Sequence, residues 1–119
     1  MNQVKRIVHQ GKSILIIDFS HQKAEAALEI MKAARPMIDK ARPESLLILT
    51  DITEATYDKT VSENLKEFAK TNTPFVKASA VTGLNAMKRI IYSAVVRFSG
   101  RNIKAFDTRE EALDWLASQ

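Results

Sequence analysis

Two apolar runs, Ile14-Leu15-Ile16-Ile17 and Leu46-Leu47-Ile48-Leu49, decide the fold of this chain. A run of apolar residues without polar alternation is typical of a β-strand that is covered on both faces. Phe75–Val81 is a third run of this kind. Helical patterns separate the three runs, and strands that alternate with helices predict a largely parallel sheet with right-handed crossovers.

The chain before the first run predicts a hairpin that adds an antiparallel strand at one edge. Residues 3–10 and 12–19 are both rich in isoleucine and valine, and Gly11 lies between them. A glycine between two β-rich segments is typical of a hairpin turn. Near the other end of the chain, Asn102–Phe106 predicts a short last strand.

Four helices are predicted from apolar residues at helical spacing. We expect the hydroxyl of Ser20 to cap the first helix, and Pro36 predicts a kink or a fresh start within it. The third helix is predicted from Gly83 to Gly100, and a capping box at Thr108 precedes the fourth. The expected core-facing residues are Ala24, Ala27, Leu28, Met31, Ala34 and Ile38 in the first helix, Val61, Leu65, Phe68 and Ala69 in the second, Leu84, Met87, Ile91, Val95 and Phe98 in the third, and Ala112, Leu113 and Leu116 in the fourth.

The predicted order is therefore β-β-α-β-α-β-α-β-α, an α/β fold with a mixed, mostly parallel five-stranded sheet and four helices. The 119 residues have the length of one domain, which we expect to span residues 1–119. A domain of this length buries roughly two-thirds of its unfolded surface, so it needs no disulfide or metal for folding.

Composition excludes several kinds of chemistry and location. The chain has no cysteine, which excludes disulfides, thiolate catalysis and cysteine-ligated metal centres. Its longest apolar runs are far shorter than the roughly 18 residues of a membrane span. Its N-terminus is polar where a signal peptide would be apolar. We therefore expect a cytoplasmic protein without a transmembrane segment.

The distribution of charge favours an anionic partner. The net charge is +4, and residues 68–106 carry seven Lys and Arg without one Asp or Glu. Such a stretch favours phosphate, an acidic protein or nucleic acid, unless its charges are scattered over different faces of the fold. Nucleic acid is the least favoured of these, because its binding surfaces usually combine a denser basic cluster with stacking aromatic side chains.

Polar residues follow the carboxyl ends of the predicted strands, where open α/β sheets bind ligands. Asp18, Ser20 and His21 have the residue types of a catalytic triad, but they lie too close in sequence to converge from separate elements. Asp18 with Asp51 and Thr82 suggests the magnesium site of a response-regulator receiver, yet Asp18 lacks the acidic neighbour that such a site needs. We therefore predict no catalytic residue, no metal ion and no cofactor.

A candidate anion-binding site lies at Thr82, Gly83 and Leu84, with Lys88 about one turn into the predicted third helix. Free amide hydrogens and the helix dipole favour an anion at a helix start. A glycine serves entry into a helix equally well, so the pattern leaves both interpretations open. The glycines of the chain are too widely spaced for a glycine-rich nucleotide loop.

A candidate protein interface lies on the predicted third helix. Tyr92 and Val96 fall on the side opposite the expected core stripe, near Arg89. Apolar groups on the outer side of a helix favour contact with another chain. We therefore predict a homodimer through Arg89, Tyr92 and Val96, with an ordinary mixed solvent-exposed face as the alternative.

Across essentially its whole length the sequence resembles the SpoIIAA-like branch of the STAS superfamily. The segments that carry the resemblance are Leu49-Thr50-Asp51, Asn72-Thr73-Pro74-Phe75-Val76-Lys77-Ala78-Ser79-Ala80-Val81, Ser99-Gly100-Arg101-Asn102, Phe106-Asp107-Thr108 and Asp114-Trp115-Leu116. The resemblance implies the fold of anti-sigma-factor antagonists and, more distantly, of CRAL-TRIO lipid-binding domains. It implies little about activity, because a shared fold does not transfer function.

The chain departs from this family at the segment that antagonists phosphorylate. Sporulation antagonists carry Asp-Ser-Ser-Gly after the strand equivalent to Leu46–Thr50, whereas residues 51–61 of this chain contain neither serine nor glycine. The hydroxyls available for a phosphorylation switch are those of Thr53, Thr56 and Thr60. A phosphate there would lie beside a helix N-terminus, where negative charge is tolerated.

Together these observations favour a non-enzymatic STAS-like binding or regulatory module that acts through protein–protein contacts as a homodimer. Two alternatives stay open. One is the binding of a lipid or small anionic ligand between the sheet and a helix, and the other is a phosphorylation switch at a threonine of the 53–60 loop.

Overall fold

The computed structural model of the chain describes residues 3–119 and contains a five-stranded sheet whose strands lie side by side in chain order. The first two strands are antiparallel, and every later pair of neighbours is parallel. The strands are β1 (Val4–His9), β2 (Lys12–Asp18), β3 (Leu46–Asp51), β4 (Val76–Thr82) and β5 (Ile103–Phe106). The helices are α1 (Ala24–Asp39), α2 (Lys59–Asn72), α3 (Lys88–Ser99) and α4 (Arg109–Ala117), with a single 3-10 turn at Thr73–Phe75. The predicted α/β fold is confirmed.

The layers follow from this strand order. Each of the three parallel connections leads to the neighbouring strand in the same direction across the sheet. Because such crossovers are right-handed, α1, α2 and α3 lie on the same face of the sheet. That face buries Leu15, Ile17 and Ile48. Helix α4 follows the last strand and covers the opposite face, where Ile14 and Ile16 are buried. The uninterrupted apolar runs are thus covered on both faces, as the sequence predicts.

Helix α1 differs from the prediction at its start and at its proline. It begins at Ala24, directly after Lys23, so Ser20 lies too far upstream to cap it. Ser20 instead belongs to the turn after β2, where its backbone N–H donates to the Asp18 carboxylate. Pro36 lies within a continuous helix. Pro36 and Lys32 are both exposed, so the Lys32 carbonyl that loses its amide partner lies on the solvent side.

Helix α3 begins at Lys88, five residues later than Gly83, where the prediction placed its start. The side chain of Asn85 accepts the backbone N–H of Lys88 at 2.8 Å, as a capping residue does. Met87 therefore lies before the helix and is 77% exposed, although we expected it in the core. Phe98 is also exposed, at 41%, and its ring lies under the ammonium of Lys70 at 5.0 Å.

The other two helix starts carry side-chain caps. Asp58 accepts the backbone N–H of Val61 at 2.8 Å at the start of α2. Thr108 accepts the backbone N–H of Glu111 at 3.2 Å, which confirms the predicted cap of α4. Within residues 3–119 none of the helices has the combination of length and apolar character that crossing a bilayer requires.

Arg109, the first residue of α4, joins that helix to the carboxyl ends of two strands. Its Nη2 lies 2.8 Å from Oδ2 of Asp18, and its Nε donates to Oδ2 of Asp51 at 2.7 Å. Oδ1 of the buried Asp51 also accepts the hydroxyl of Thr53 at 2.7 Å and its backbone N–H at 3.0 Å. Burial alone raises the pKa of a carboxyl, but the bonds from Thr53 and Arg109 outweigh it, and the pKa of Asp51 is lowered.

The loops that follow β3 and β4 are in direct contact. Gly83 has a φ of +91°, and a Cβ at this position would lie under 3.0 Å from the backbone nitrogen and Cα of Thr53. Both the left-handed conformation and the close approach require glycine here. The two loops are therefore in contact because position 83 has no side chain.

We expect Asp51→Asn to make the free energy of unfolding depend less on pH in the acidic range. Because the folded-state pKa of Asp51 is lowered, its carboxylate adds stability that is complete above the unfolded-state pKa of about 3.9 and is lost as the pH falls through the folded-state value. At neutral pH the substitution should lower the free energy of unfolding by about 1–3 kcal/mol. Denaturant unfolding over a pH series measures both effects. Asp39→Asn, at an exposed ion pair with Arg35, is the control, and an Asp51→Asn curve that stays parallel to that of the natural chain would contradict the expectation.

We expect Gly83→Ala to lower the free energy of unfolding by about 3 kcal/mol or more, because it adds a steric clash to a strained φ. Gly100→Ala is the matched control, since Gly100 has a φ of +69° and open space where a Cβ would lie. Gly100→Ala should lower the free energy of unfolding by only about 1–2 kcal/mol, which is the cost of the left-handed backbone conformation alone. Thermal or denaturant unfolding of the two variants separates the terms, and equal losses would show that the contact with Thr53 has no effect.

Candidate ligand-binding cavity

An apolar cavity of about 90 Å³ lies between the sheet and the pair of helices α2 and α3. It arises at β4, whose segment Val76–Thr82 carries small side chains, and Ser79 pairs in register with Ile48 on one side and Ile103 on the other. Ala69 of α2 is a second small residue in the lining, so the helix does not fill the space above Ser79. The apolar side chains that enclose the rest of the cavity include Ile17, Val81, Leu65, Phe68, Ile91 and Val95.

The two charged side chains in this lining are both cationic. Among the described residues that form the cavity wall, Lys88 and Arg101 carry positive charge and no Asp or Glu is present. Lys88 is buried, and its ammonium donates to the carbonyl of Ile52 at 3.0 Å. Nη1 of Arg101 donates to the carbonyl of Ala69 at 3.3 Å. Burial lowers the pKa of Arg101 to about 10, so the guanidinium is still protonated at neutral pH.

Three buried polar atoms of the lining have no hydrogen-bond partner among residues 3–119: the hydroxyls of Tyr57 and Ser79 and Nε of Arg101. Burial, followed by the charge of Asp51, raises the pKa of Tyr57, so its hydroxyl is a neutral donor. A buried polar group without a partner costs about 1–3 kcal/mol. The three groups belong to the loop before α2, to β4 and to the segment after α3, so unpartnered polar atoms border the cavity from several elements.

An outer pocket of about 290 Å³ adjoins the cavity at the start of α3. Tyr57, Lys88 and Ile91 line both spaces and separate them. The outer pocket is more polar, with Glu54 and Asn85 in its wall. Lys88 therefore lies between a polar outer compartment and an apolar inner one.

The candidate anion-binding residues lie in different places in the structure. Leu84 and Lys88 line the inner cavity. Thr82 is buried in β4, and Gly83 lies against the loop at Thr53. The predicted helix start at Gly83 is wrong, because α3 begins five residues later and the Asn85 side chain takes the amide of Lys88. Anion binding at these residues stays a prediction.

The candidate phosphorylation residues differ in accessibility. The Thr53 hydroxyl is engaged as a donor to Asp51 at 2.7 Å. Thr56 is exposed, and Thr60 is exposed in the first turn of α2 beside its capping Asp58. Phosphorylation at any of the three stays a prediction.

The candidate interface residues do not form the exposed apolar surface that we expected. Tyr92 and Val96 are partly buried and pack against the core, and the Tyr92 hydroxyl donates to the carbonyl of Ile103. Arg89 is exposed. Ile91 and Val95 face inward as well, so the buried face of α3 is wider than the predicted stripe. Large exposed apolar residues near its start are Met87 and Ile90, at 77% and 74%.

The acidic residues at the carboxyl edge of the sheet are engaged by the protein itself. Asp18 and Asp51 share Arg109. His9 contacts Asp114 at 2.7 Å far from them. Within residues 3–119 no group of three or more potential ligand side chains is arranged to hold a metal ion.

Sequence reasoning did not identify Tyr57, Ser79 and Arg101 as site residues. Ser79 gave a signal, as a polar residue in a run that we interpreted as a buried strand. In the sequence Arg101 is one of seven cations in the acid-free stretch of residues 68–106, and sequence alone does not show which of the seven turn inward. Tyr57 lies in a loop, and its place in the cavity wall depends on packing against Phe19, with ring centroids 6.3 Å apart.

Comparison with solved structures finds the same architecture in the crystal structure of an uncharacterized protein of the DUF3478 family, with a SpoIIAA-like fold, from Shewanella loihica PV-4. The match has a TM-score of 0.71 and 16% sequence identity, and it covers 95% of this chain and 91% of that one. No protein-family model and no curated protein match the sequence. At this identity the likeness shows the fold alone, and this chain has the SpoIIAA-like fold that the sequence resemblance implied.

Proposed function

We propose that the protein is a non-enzymatic binding module that holds a small, largely apolar anion in the cavity between the sheet and helices α2 and α3. The observation that supports this proposal is the composition of the described cavity wall: apolar side chains, two cations, no carboxylate, and three buried polar atoms without a partner. An anion with an apolar body complements each of these features.

The size of the cavity limits the ligand. Pockets that enclose a drug-sized molecule measure about 300–1,000 Å³, whereas this one measures about 90 Å³. A lipid with two chains is therefore too large. The cavity is also smaller than the roughly 150 Å³ space that binds benzene, so a ligand with one short chain suits it better than one with a ring.

The cavity chemistry supports binding without catalysis. Tyr57 and Ser79 supply hydroxyls, but no His, Asp or Glu lies in the described lining to act as a base for either of them. An unactivated hydroxyl is a weak nucleophile and needs such a base. Both hydroxyls therefore fit the role of hydrogen-bond donors to a ligand.

We expect hexanoate to bind in this cavity and Val95→Phe to weaken binding by about tenfold or more, because the larger side chain fills the space. The measurement is a titration of ¹⁵N-labelled protein followed by amide chemical shifts, which should change at residues that line the cavity. The same spectra report whether the variant is folded. Val8→Phe, at a residue that is 77% exposed in β1, is the control and should bind as the natural chain does. Shifts confined to surface residues, or no shifts, would exclude a ligand site in this cavity.

A second candidate function is contact with another copy of the chain through the start of α3. Met87 and Ile90 are large, neighbouring and exposed, which is typical of a contact surface. The same region carries charges of both signs, with Arg89 exposed and Glu54 in the outer pocket beside Met87. A twofold contact between two copies can pair such charges.

If this surface forms a dimer, we expect Ile90→Asp to abolish it, because the substitution places a charge in the apolar contact. Light scattering at high micromolar concentration should then give a dimer for the natural chain and a monomer for the variant. Val8→Asp is the control for an exposed apolar residue elsewhere and should leave the dimer intact. A natural chain that is monomeric under these conditions would rule out the contact.

A further inference from the structure

We infer that the ligand of the inner cavity is a carboxylic acid whose carboxylate pairs with the Nε and Nη2 edge of Arg101, next to the hydroxyl of Ser79. This inference rests on the proposed function and adds the chemical class of the ligand and its orientation.

The free edge of Arg101 defines the anion position. Nη1 of Arg101 is engaged by the carbonyl of Ala69, whereas its Nε is buried and without a partner among the described residues. Within that part of the chain no carboxylate oxygen lies within ion-pair distance of this guanidinium, unlike that of Arg109. Nε and Nη2 form the edge of a guanidinium that accepts the two oxygens of a carboxylate side by side.

The local backbone brings Arg101 and Ser79 to the same part of the cavity. Gly100 turns the chain with a φ of +69° after α3, and Arg101 precedes β5 by two residues. The first residue of β5, Ile103, pairs in register with Ser79. The Ser79 side chain is 2% exposed and its hydroxyl has no partner within residues 3–119, so it can donate to the same anion.

Lys88 is a weaker candidate for the primary anion contact. Its ammonium already donates to the Ile52 carbonyl, and its side chain also borders the outer polar pocket. The apolar part of the ligand would extend from Arg101 past Val81 and Ile91 toward that side chain. The carboxylate thus lies at the end of the cavity away from the outer pocket.

The charge of the site favours a carboxylate over a phosphate monoester. At the Arg101 end of the cavity, one guanidinium with a neutral hydroxyl compensates a single negative charge, since Lys88 lies at the other end, beside the outer pocket. A phosphate monoester carries nearly two negative charges at neutral pH, and burial of an uncompensated charge is strongly unfavourable. A planar monoanion matches the available donors in both charge and shape.

The experiment compares three probes of equal chain length, hexanoate, hexan-1-ol and hexyl phosphate, on the natural chain, on Arg101→Met and on Arg97→Met. Arg97 is the control, because it is an exposed arginine of α3. We expect Arg101→Met to weaken hexanoate binding roughly 10- to 100-fold, as for the loss of a buried hydrogen bond to a charged group. Hexan-1-ol should bind both variants as it binds the natural chain, and hexyl phosphate should bind the natural chain more weakly than hexanoate does.

The outcomes separate this inference from the proposed function. Unchanged hexanoate affinity in Arg101→Met, with amide shifts still in the cavity, overturns the inference and leaves the proposed function standing. Tighter binding of hexyl phosphate than of hexanoate overturns the assignment of a carboxylate. If hexanoate does not bind the natural chain in the cavity, the proposed function fails. If Arg101→Met does not fold, the Nε–H resonance of Arg101 in the natural chain tests whether the carboxylate contacts this side chain. Hexanoate should shift that resonance and hexan-1-ol should not, and equal shifts with both probes would overturn the inference.

Discussion

Burial of β2 and β3 on both faces is the constraint on which the rest of the structure depends. Every residue of Ile14–Ile17 and Leu46–Leu49 is at most 6% exposed. Because successive side chains of a strand point to opposite faces, such strands need helices on both sides. The three crossover helices cover one face, and α4 alone must cover the other. Helix α4 is short, with nine residues, and the ion pairs of Arg109 hold its first turn to the carboxyl ends of β2 and β3.

The face under the crossover helices is not filled evenly. Near β2 and β3 the side chains of α1 complete the core, but above β4 the small side chains of Ser79 and Ala69 leave the cavity. A larger apolar residue at Ser79 would remove both the space and an unpartnered hydroxyl. The chain therefore retains an arrangement that is less stable than a filled core, which is common where a site serves binding.

The carboxylates at the edge of the sheet are paired within the protein, whereas the cations in the cavity wall are not paired with a carboxylate of the described lining. Asp18 and Asp51, at the sheet edge where such folds usually bind ligands, already share Arg109. Lys88 and Arg101 line the inner cavity, where no carboxylate of the described lining neutralises them. This difference favours the interior over the edge as the ligand site. The SpoIIAA-like fold supplies the framework for this arrangement but does not by itself assign a function.

The sequence by itself determined the class, the order and the two-sided burial of the elements, because apolar runs and helical spacing are local patterns that burial demands directly. The acid-free stretch of residues 68–106 favours an anionic partner, which stays a prediction. The sequence misplaced the start of α3, because the capping by Asn85 competes with Gly83 as a helix start, and Met87 was misassigned with it. It also placed Tyr92 and Val96 on the outer side, because spacing alone does not show how wide the buried face of a helix is. Only the tertiary structure decided that Arg101 and Ser79 face one cavity and that Arg109 joins two carboxylates. Those contacts unite residues that are distant in sequence, and which side chains remain without partners depends on how the helices pack on the sheet.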